Sequence, residues 1–238
     1  MAAHAKVDSW AARLLRRILV PRCLLCGDAG ADGRDLCNGC RADMPANTVR
    51  CARCALPLPM AAPHCGACIR RPPPFTAAWA AFRYAHPLDL LETRFKFGGD
   101  LAAGRVLADL MIERTHLDPP ARPDALLCVP LHTGRLRRRG YNQALELARP
   151  LARALDLPLL HDALVRTRAT SAQTGLEAPA RRRNLRGALA LRAGIALPAH
   201  VAVLDDVMTT GATLGECARV LAAAGVARVD AWALARAP

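Results

Sequence analysis

Val201–Thr213 reads VAVLDDVMTTGAT, and the fold is decided here. Val201–Leu204 is a short Val-rich apolar run of the kind that forms a parallel strand buried on both faces. Two adjacent carboxylates, Asp205 and Asp206, stand at its C-terminal end. A loop of small hydroxyl residues and glycine follows, Thr209–Thr213, and a helical pattern starts near Leu214. In an open α/β sheet, ligands bind beyond the carboxyl ends of the strands. A loop that enters a helix offers a phosphate free N–H groups and the positive end of the helix dipole. Gly211 allows close backbone approach, and Thr209, Thr210 and Thr213 add hydroxyl donors. Two acids ahead of such a loop suit a sugar phosphate, because the carboxylates accept from ribose hydroxyls while the loop takes the phosphate. This is not a Walker loop, since no G-x-x-x-x-G-K-[ST] occurs, and no G-x-G-x-x-G occurs either.

Working outward, strand-like apolar runs lie at Ala78–Tyr84, Ala125–Pro130 and Val229–Leu234 as well as Val201–Leu204. Helical patterns cover Asp89–Phe97, Leu101–Thr115, Asn142–Leu155 and Leu214–Ala224. Strands alternating with helices predict an α/β fold, a parallel sheet with flanking helices. The stiff stretch RRPPP at Arg70–Pro74 separates this part from a cysteine-rich one. The expected domains are therefore 1–72 and 73–238. A short basic helix is expected over Trp10–Leu19, with Ser9 as its N-cap.

Eight of the ten cysteines form four C-x-x-C pairs: Cys23/Cys26, Cys37/Cys40, Cys51/Cys54 and Cys65/Cys68. Ten residues separate each pair from the next, which points to an internal duplication. Two such knuckles supply four thiolates, enough for one tetrahedral zinc, so eight supply two zinc ions. The ligands of each ion are either sequential or interleaved in the chain, and an iron–sulfur cluster is the competing metal reading. With all four positions filled by protein the ions are structural, since no place is left for a catalytic water. Cys128 and Cys217 stand alone in apolar surroundings and read as small core residues.

A net charge of +13 favours polyanionic partners, either nucleic acid or a phosphate-rich small molecule. No apolar run reaches the ~20 residues needed to span a bilayer. Trp10–Val20 carries Arg13, Arg16 and Arg17, unlike the core of a signal peptide. The expectation is a soluble, cytoplasmic protein with no membrane insertion.

The acidic pair followed by T-T-G-x-T resembles the motif with which type I phosphoribosyltransferases bind 5-phosphoribosyl-1-pyrophosphate (PRPP). Three more stretches, with the C-x-x-C module, narrow the likeness to the ComF family: RFKFGGD at 94–100, VPLHTGRLRRRGYNQA at 129–144, and RTRATSAQTG with RRRNLRGAL at 166–175 and 181–189. Together they cover nearly the whole chain. The resemblance implies a type I phosphoribosyltransferase-like sheet behind a small zinc-ribbon module. It implies that Asp205 and Asp206 hold the ribose hydroxyls and that Thr209, Thr210, Gly211, Ala212 and Thr213 wrap the 5-phosphate, with Mg2+ bound alongside PRPP. The basic loop His132–Arg139 then faces the pyrophosphate, with Arg135 and Arg139, and Arg168 from a covering loop at Arg166–Asn184, as catalytic candidates. Gln173, Arg183 and Asn184 share that loop's motif. Tyr141 is read either as a base-stacking residue or as packing. Purine-salvage relatives often carry an Asp three residues after the second acid; Thr209 stands there, so no purine-type proton relay is expected. The family's role in DNA uptake adds single-stranded DNA and a competence helicase of the ComF-operon type as expected partners. A non-catalytic PRPP-binding adaptor and a nucleobase-salvage enzyme are the alternative readings.

Overall fold

A computed structural model describes residues 21–168 and 187–238. The expected helix Trp10–Leu19, and Gln173, Arg183 and Asn184, lie outside the described residues. The chain falls into two compact units, Met1–Met44 and Pro45–Pro238.

In the first unit the Cys23–Cys26 knuckle closes on itself. The amide of Gly27 donates to the Cys23 carbonyl at 2.9 Å and that of Cys23 to Asp28 at 2.7 Å, with an antiparallel bridge between Arg22 and Ala29. Gly27 takes φ +83, which is why a glycine ends this turn. Helix α1 (Asn38–Ala42) starts at Cys37, whose sulfur accepts from the Cys40 amide. The same pattern recurs in the second unit. Ala55 donates to Cys51, Cys51 donates to Leu56, Arg50 bridges to Pro57, and helix α2 (Gly66–Arg70) starts at Cys65. Each of these hydrogen bonds has a counterpart in the first unit, as an internal duplication requires.

The rest of the second unit runs β1 (Ala78–Arg83), α3 (Leu88–Gly98), α4 (Leu101–Leu117), β2 (Ala125–Cys128), α5 (Thr133–Arg139) and α6 (Gln143–Ala154). Then come β3 (Leu164–Arg166), β4 (Leu189–Leu191), β5 (His200–Met208), α7 (Ala212–Ala223) and β6 (Arg228–Arg236). Four strands form one parallel sheet in the order β1–β6–β5–β2, and β3 with β4 forms a separate antiparallel pair. Parallel strands need helical crossovers, which α3, α4, α6 and α7 supply. Asp100 caps α4 by accepting from the amides of Ala102 and Ala103, and Asn142 caps α6 through Ala144. Ala, Leu and Val dominate the core as the composition demands, and Trp232, Phe75, Phe82 and Phe95 are fully buried within it. Outside the four strands, Asn47 and Pro45 hydrogen-bond along β1 and Pro158 and Leu160 bond along β2.

Three elements differ from the sequence reading. Strand β5 does not stop at Leu204 but runs through Asp205 and Asp206 to Met208, because β6 pairs with it as far as Met208–Arg236. The expected basic loop at His132–Arg139 is the helix α5: His132 Nδ1 accepts from the Gly134 amide, and Gly140 at φ +83 ends the helix. Arg166 lies in the short ladder β3–β4 rather than in open loop. Among the described residues no helix is long and apolar enough to cross a membrane.

Candidate functional site

A cleft of about 1190 Å³ opens at the carboxyl ends of the parallel strands. Tyr84 lines it just beyond β1, Val129 beyond β2, Met208 at the end of β5 and Ala237 beyond β6. This is where an open α/β sheet places its ligand site. Asp205, Asp206 and the whole of Thr209–Thr213 also line it, so the acidic pair and the loop face one space.

The loop leads into the N-terminus of α7. Gly211 caps α7 at φ +70, the left-handed region that glycine enters at least cost. The Gly215 amide makes the first helical bond back to Gly211, at 2.8 Å, while Thr210 Oγ1 accepts from the Ala212 amide.

Beneath it sits a charged cluster. Lys96 Nζ lies 2.8 Å from Asp206 Oδ2 and 3.3 Å from Glu92 Oε1. Glu92 is 1% exposed, and its Oε2 has no hydrogen-bond partner among the described residues. Burial works to raise the Asp206 carboxyl, but the Lys96 ammonium overcomes it and holds Asp206 below the usual range. Asp205 is pushed up to about 8, by burial first and then by the charge of Asp206. Glu92 is also pushed up to about 8 by burial and by Asp206. Burial opposes the charge on Lys96, yet Asp206 and Glu92 together hold it above its ordinary value. The acidic pair therefore carries one firm negative charge and one carboxyl that holds a proton near neutrality.

Arg135, Arg138 and Arg139 of α5 and Arg166 of β3 line the same cleft. Burial and the neighbouring Arg139 and Arg138 lower the pKa of Arg135; burial and Arg135 do the same to Arg166. Such mutual repulsion favours a polyanion in the space between them. Arg139 donates to Gln143 at 2.8 Å and lies over the ring of Phe97 at 5.7 Å. Arg168 is exposed and is not among the described cleft-lining residues. Tyr141 stacks on Phe95 at 5.3 Å and donates its hydroxyl to the Phe95 carbonyl, so its ring is used in packing. Phe97, 72% exposed, lines the cleft, as does Tyr84.

The cysteines assemble in sequence order. Cys23, Cys26, Cys37 and Cys40 form one group and Cys51, Cys54, Cys65 and Cys68 the other, each with its sulfurs within 4.8 Å of one another. Cys26 and Cys37 sulfurs are 3.7 Å apart, as are those of Cys54 and Cys65. Tetrahedral ligands at ~2.3 Å from zinc stand about 3.8 Å apart, so the residues fit that ion. Burial opposes ionisation of Cys23, but the amides of Cys26, Cys37 and Leu25 bring its thiol down to about 6. Cys51 comes down to about 7 against burial, through the amides of Cys65, Cys54 and Arg53. Cys128 and Cys217 are buried apart from both groups, and burial pushes the Cys128 thiol up to about 12.

A family profile described as "Double zinc ribbon domain" matches residues 14–69. Competence protein F of Haemophilus influenzae is 37% identical over 91% of this chain and 97% of its own length. DNA utilization protein YhgH of Escherichia coli K12 is 35% identical over 90% of this chain and 96% of its own. The chain belongs to the ComF family. Competence protein ComFC of Streptococcus pneumoniae, 26% identical over 66% of the chain, is a more distant relative. Adenine phosphoribosyltransferase of Leishmania tarentolae is a similar solved structure at 19% identity, covering 60% of this chain and 59% of its own with a TM-score of 0.33. At that score the overlay adds nothing to the strand order given above.

Sequence reasoning placed Lys96 only inside a family motif and did not single out Glu92 or Arg236. The i, i+4 spacing of Glu92 and Lys96 on a helix was the available signal.

Proposed function

We propose that this ComF-family chain binds PRPP in the cleft and acts as a phosphoribosyltransferase-like protein linked to DNA uptake or nucleotide metabolism. One observation carries the reading: the acidic pair and the glycine-capped loop face the same cleft as a cluster of arginines. In it Asp205 and Asp206 accept from the ribose hydroxyls, and Thr209–Thr213 takes the 5-phosphate. Arg135 and Arg139 meet the pyrophosphate, with Arg168 as a further candidate. Mg2+ bound alongside PRPP would help neutralise the pyrophosphate. Transfer breaks the bond from C1 to pyrophosphate with oxocarbenium-like character, forms a bond from C1 to the acceptor and releases pyrophosphate. The arginines stabilise the charge that builds on the leaving group. Calorimetry with PRPP, with and without Mg2+, tests the reading. The folded Asp205→Asn/Asp206→Asn protein should lose roughly 30-fold or more in affinity, as expected for losing one charge-assisted and one neutral hydrogen bond. Undiminished affinity refutes the assignment.

A second reading is a non-catalytic adaptor acting through single-stranded DNA and a competence helicase. The relatives' names, "Competence protein F" and "DNA utilization protein", and the arginine-lined cleft favour it. Pyrophosphate release from PRPP, screened across nucleobases with and without single-stranded DNA, separates it from an enzyme.

A further inference from the structure

The phosphate loop has two sides, and the second is built by the cysteine module. Arg236, the last residue of β6, is 7% exposed. Its Nε donates to the carbonyl of the cluster ligand Cys54 at 3.1 Å. Its Nη1 donates to the carbonyl of Met208 at 3.2 Å, and to that of Ala237. Met208 immediately precedes Thr209–Thr213, and its carbonyl also accepts from the Ala237 amide. One planar guanidinium thus spans a metal-binding knuckle and the root of the loop, a fixed geometry that a flexible ammonium does not reproduce.

The linker that leaves the knuckle follows the same path. Phe75 is fully buried, and a Cβ placed on Gly211 would stand 3.7 Å from its ring. A Cβ on Gly215, in the first turn of α7, would stand 3.2 Å from Pro74. Arg53, between Cys51 and Cys54, donates to the carbonyl of Pro73 at 3.4 Å and so ties the linker back to the knuckle. The Ala78 amide, at the start of β1, donates to Ala52 of the same knuckle at 3.3 Å. Charge supports the arrangement: four thiolates around a divalent ion leave a net negative site, and Arg236 is the buried cation beside it.

We propose that the cluster Cys51/Cys54/Cys65/Cys68 buttresses the phosphate loop, with Arg236 as the positioning residue that joins them, so that metal loading there sets the order of Thr209–Thr213. Two anchors on a loop of this length remove much of the conformational freedom that ligand binding otherwise has to remove. The effect on PRPP affinity rests on the functional reading above; the effect on the loop does not.

Hydrogen exchange of the full chain, zinc-loaded and after graded chelation, tests it. In the native sequence, stripping the second cluster should speed exchange at 208–213 by roughly tenfold or more, as a locally opened segment does. In zinc-loaded Arg236→Met the loop should already exchange fast, and stripping should add little. A Cys37→Ser protein, altered in the other cluster, should keep native loop exchange. Unchanged loop exchange on loss of the second metal, or native exchange in Arg236→Met, overturns the proposal. If stripping also opens Val201–Leu204, zinc-loaded Arg236→Lys decides: faster exchange confined to 208–213 supports the link, and native exchange there refutes it. PRPP titration of the same zinc-loaded protein reports separately, since absent PRPP binding sinks the ligand assignment and leaves the exchange result standing.

Discussion

Replacing Lys96 with methionine keeps most of the buried stem and removes the charge that three carboxyls share. The ammonium lies 2.8 Å from Asp206, which is buried, and 3.3 Å from Glu92, which is more so. Severing a buried pair from one side costs about 3–5 kcal/mol when the remaining partner must stay charged. Asp206 escapes part of that cost by taking a proton, at about 1.4 kcal/mol per pH unit above an unfolded value near 3.9. The folded pKa of Asp206 is depressed, so the pair's stabilisation is present above the unfolded value and is lost as pH falls through the folded one. Glu92 and Asp205, both near 8, behave oppositely: their protonated forms stabilise the fold at low pH, and that contribution is lost as pH rises towards 8. Without Lys96 the ammonium that offsets their ionisation is gone, which adds to the loss at high pH. The expected destabilisation is therefore about 2 kcal/mol near pH 5.5 and about 4 kcal/mol near pH 8. Urea unfolding of native and Lys96→Met proteins, both zinc-supplemented, measures it as a difference in which the metal contribution cancels. Equal losses at the two pH values would refute the reasoning and leave only the packing of the stem.

Gly104→Ala should destabilise the protein although alanine favours helices by about 1 kcal/mol, because overpacking a core costs roughly 1–3 kcal/mol. The new methyl would stand 2.5 Å from Phe95, whose ring is fully buried and held against Tyr141; a higher Tm refutes this. Elemental analysis should find about two zinc ions per chain and no iron. In the native, zinc-loaded protein, thiol reagents near pH 8 should leave Cys128 and Cys217 unmodified, since both are buried and burial raises both thiols; fast labelling of either would count against the packing described. Single-stranded DNA should bind weakly, with log K falling against log salt at a slope of roughly −3 or steeper, and Arg135→Ala/Arg139→Ala should make it shallower by about 1.4, at ~0.7 per lost phosphate contact. No binding at low salt would remove DNA as a direct partner.

The strand–loop–helix at Val201–Thr213 and the cysteine pairs were readable from the chain because their signals are local: they follow from residue type and spacing within a dozen positions. Strand β5 was read too short because Asp205 and Asp206 look like a strand end, and only pairing with β6 carries the ladder past them. Helix α5 was read as a loop since Gly134 and four arginines lack an apolar face, and a His132 cap with a glycine stop supplies the order. Tyr141 was left open between stacking and packing, and Phe95, 46 residues earlier in the chain, decides it. Arg236 lies two residues past the expected strand Val229–Leu234; its hydrogen bond reaches a carbonyl 182 residues away, which no local pattern encodes. The composition changes near residue 72, whereas packing divides the chain after Met44, because the second ribbon shares hydrogen bonds with the sheet.

The short segments that flank the sheet also govern what it refuses. Asn47 donates to Ala81 and Arg83 donates to Pro45 on the outer side of β1, and Leu126 is bonded from both directions by Pro158 and Leu160 on the outer side of β2. An unprotected outermost strand is a template on which a foreign chain can add itself, the first step of many aggregates. Here the amides that would recruit such a strand are already engaged by the chain's own neighbours. Loosening the 45–47 segment should therefore increase self-association with rising concentration, before any change in the cleft.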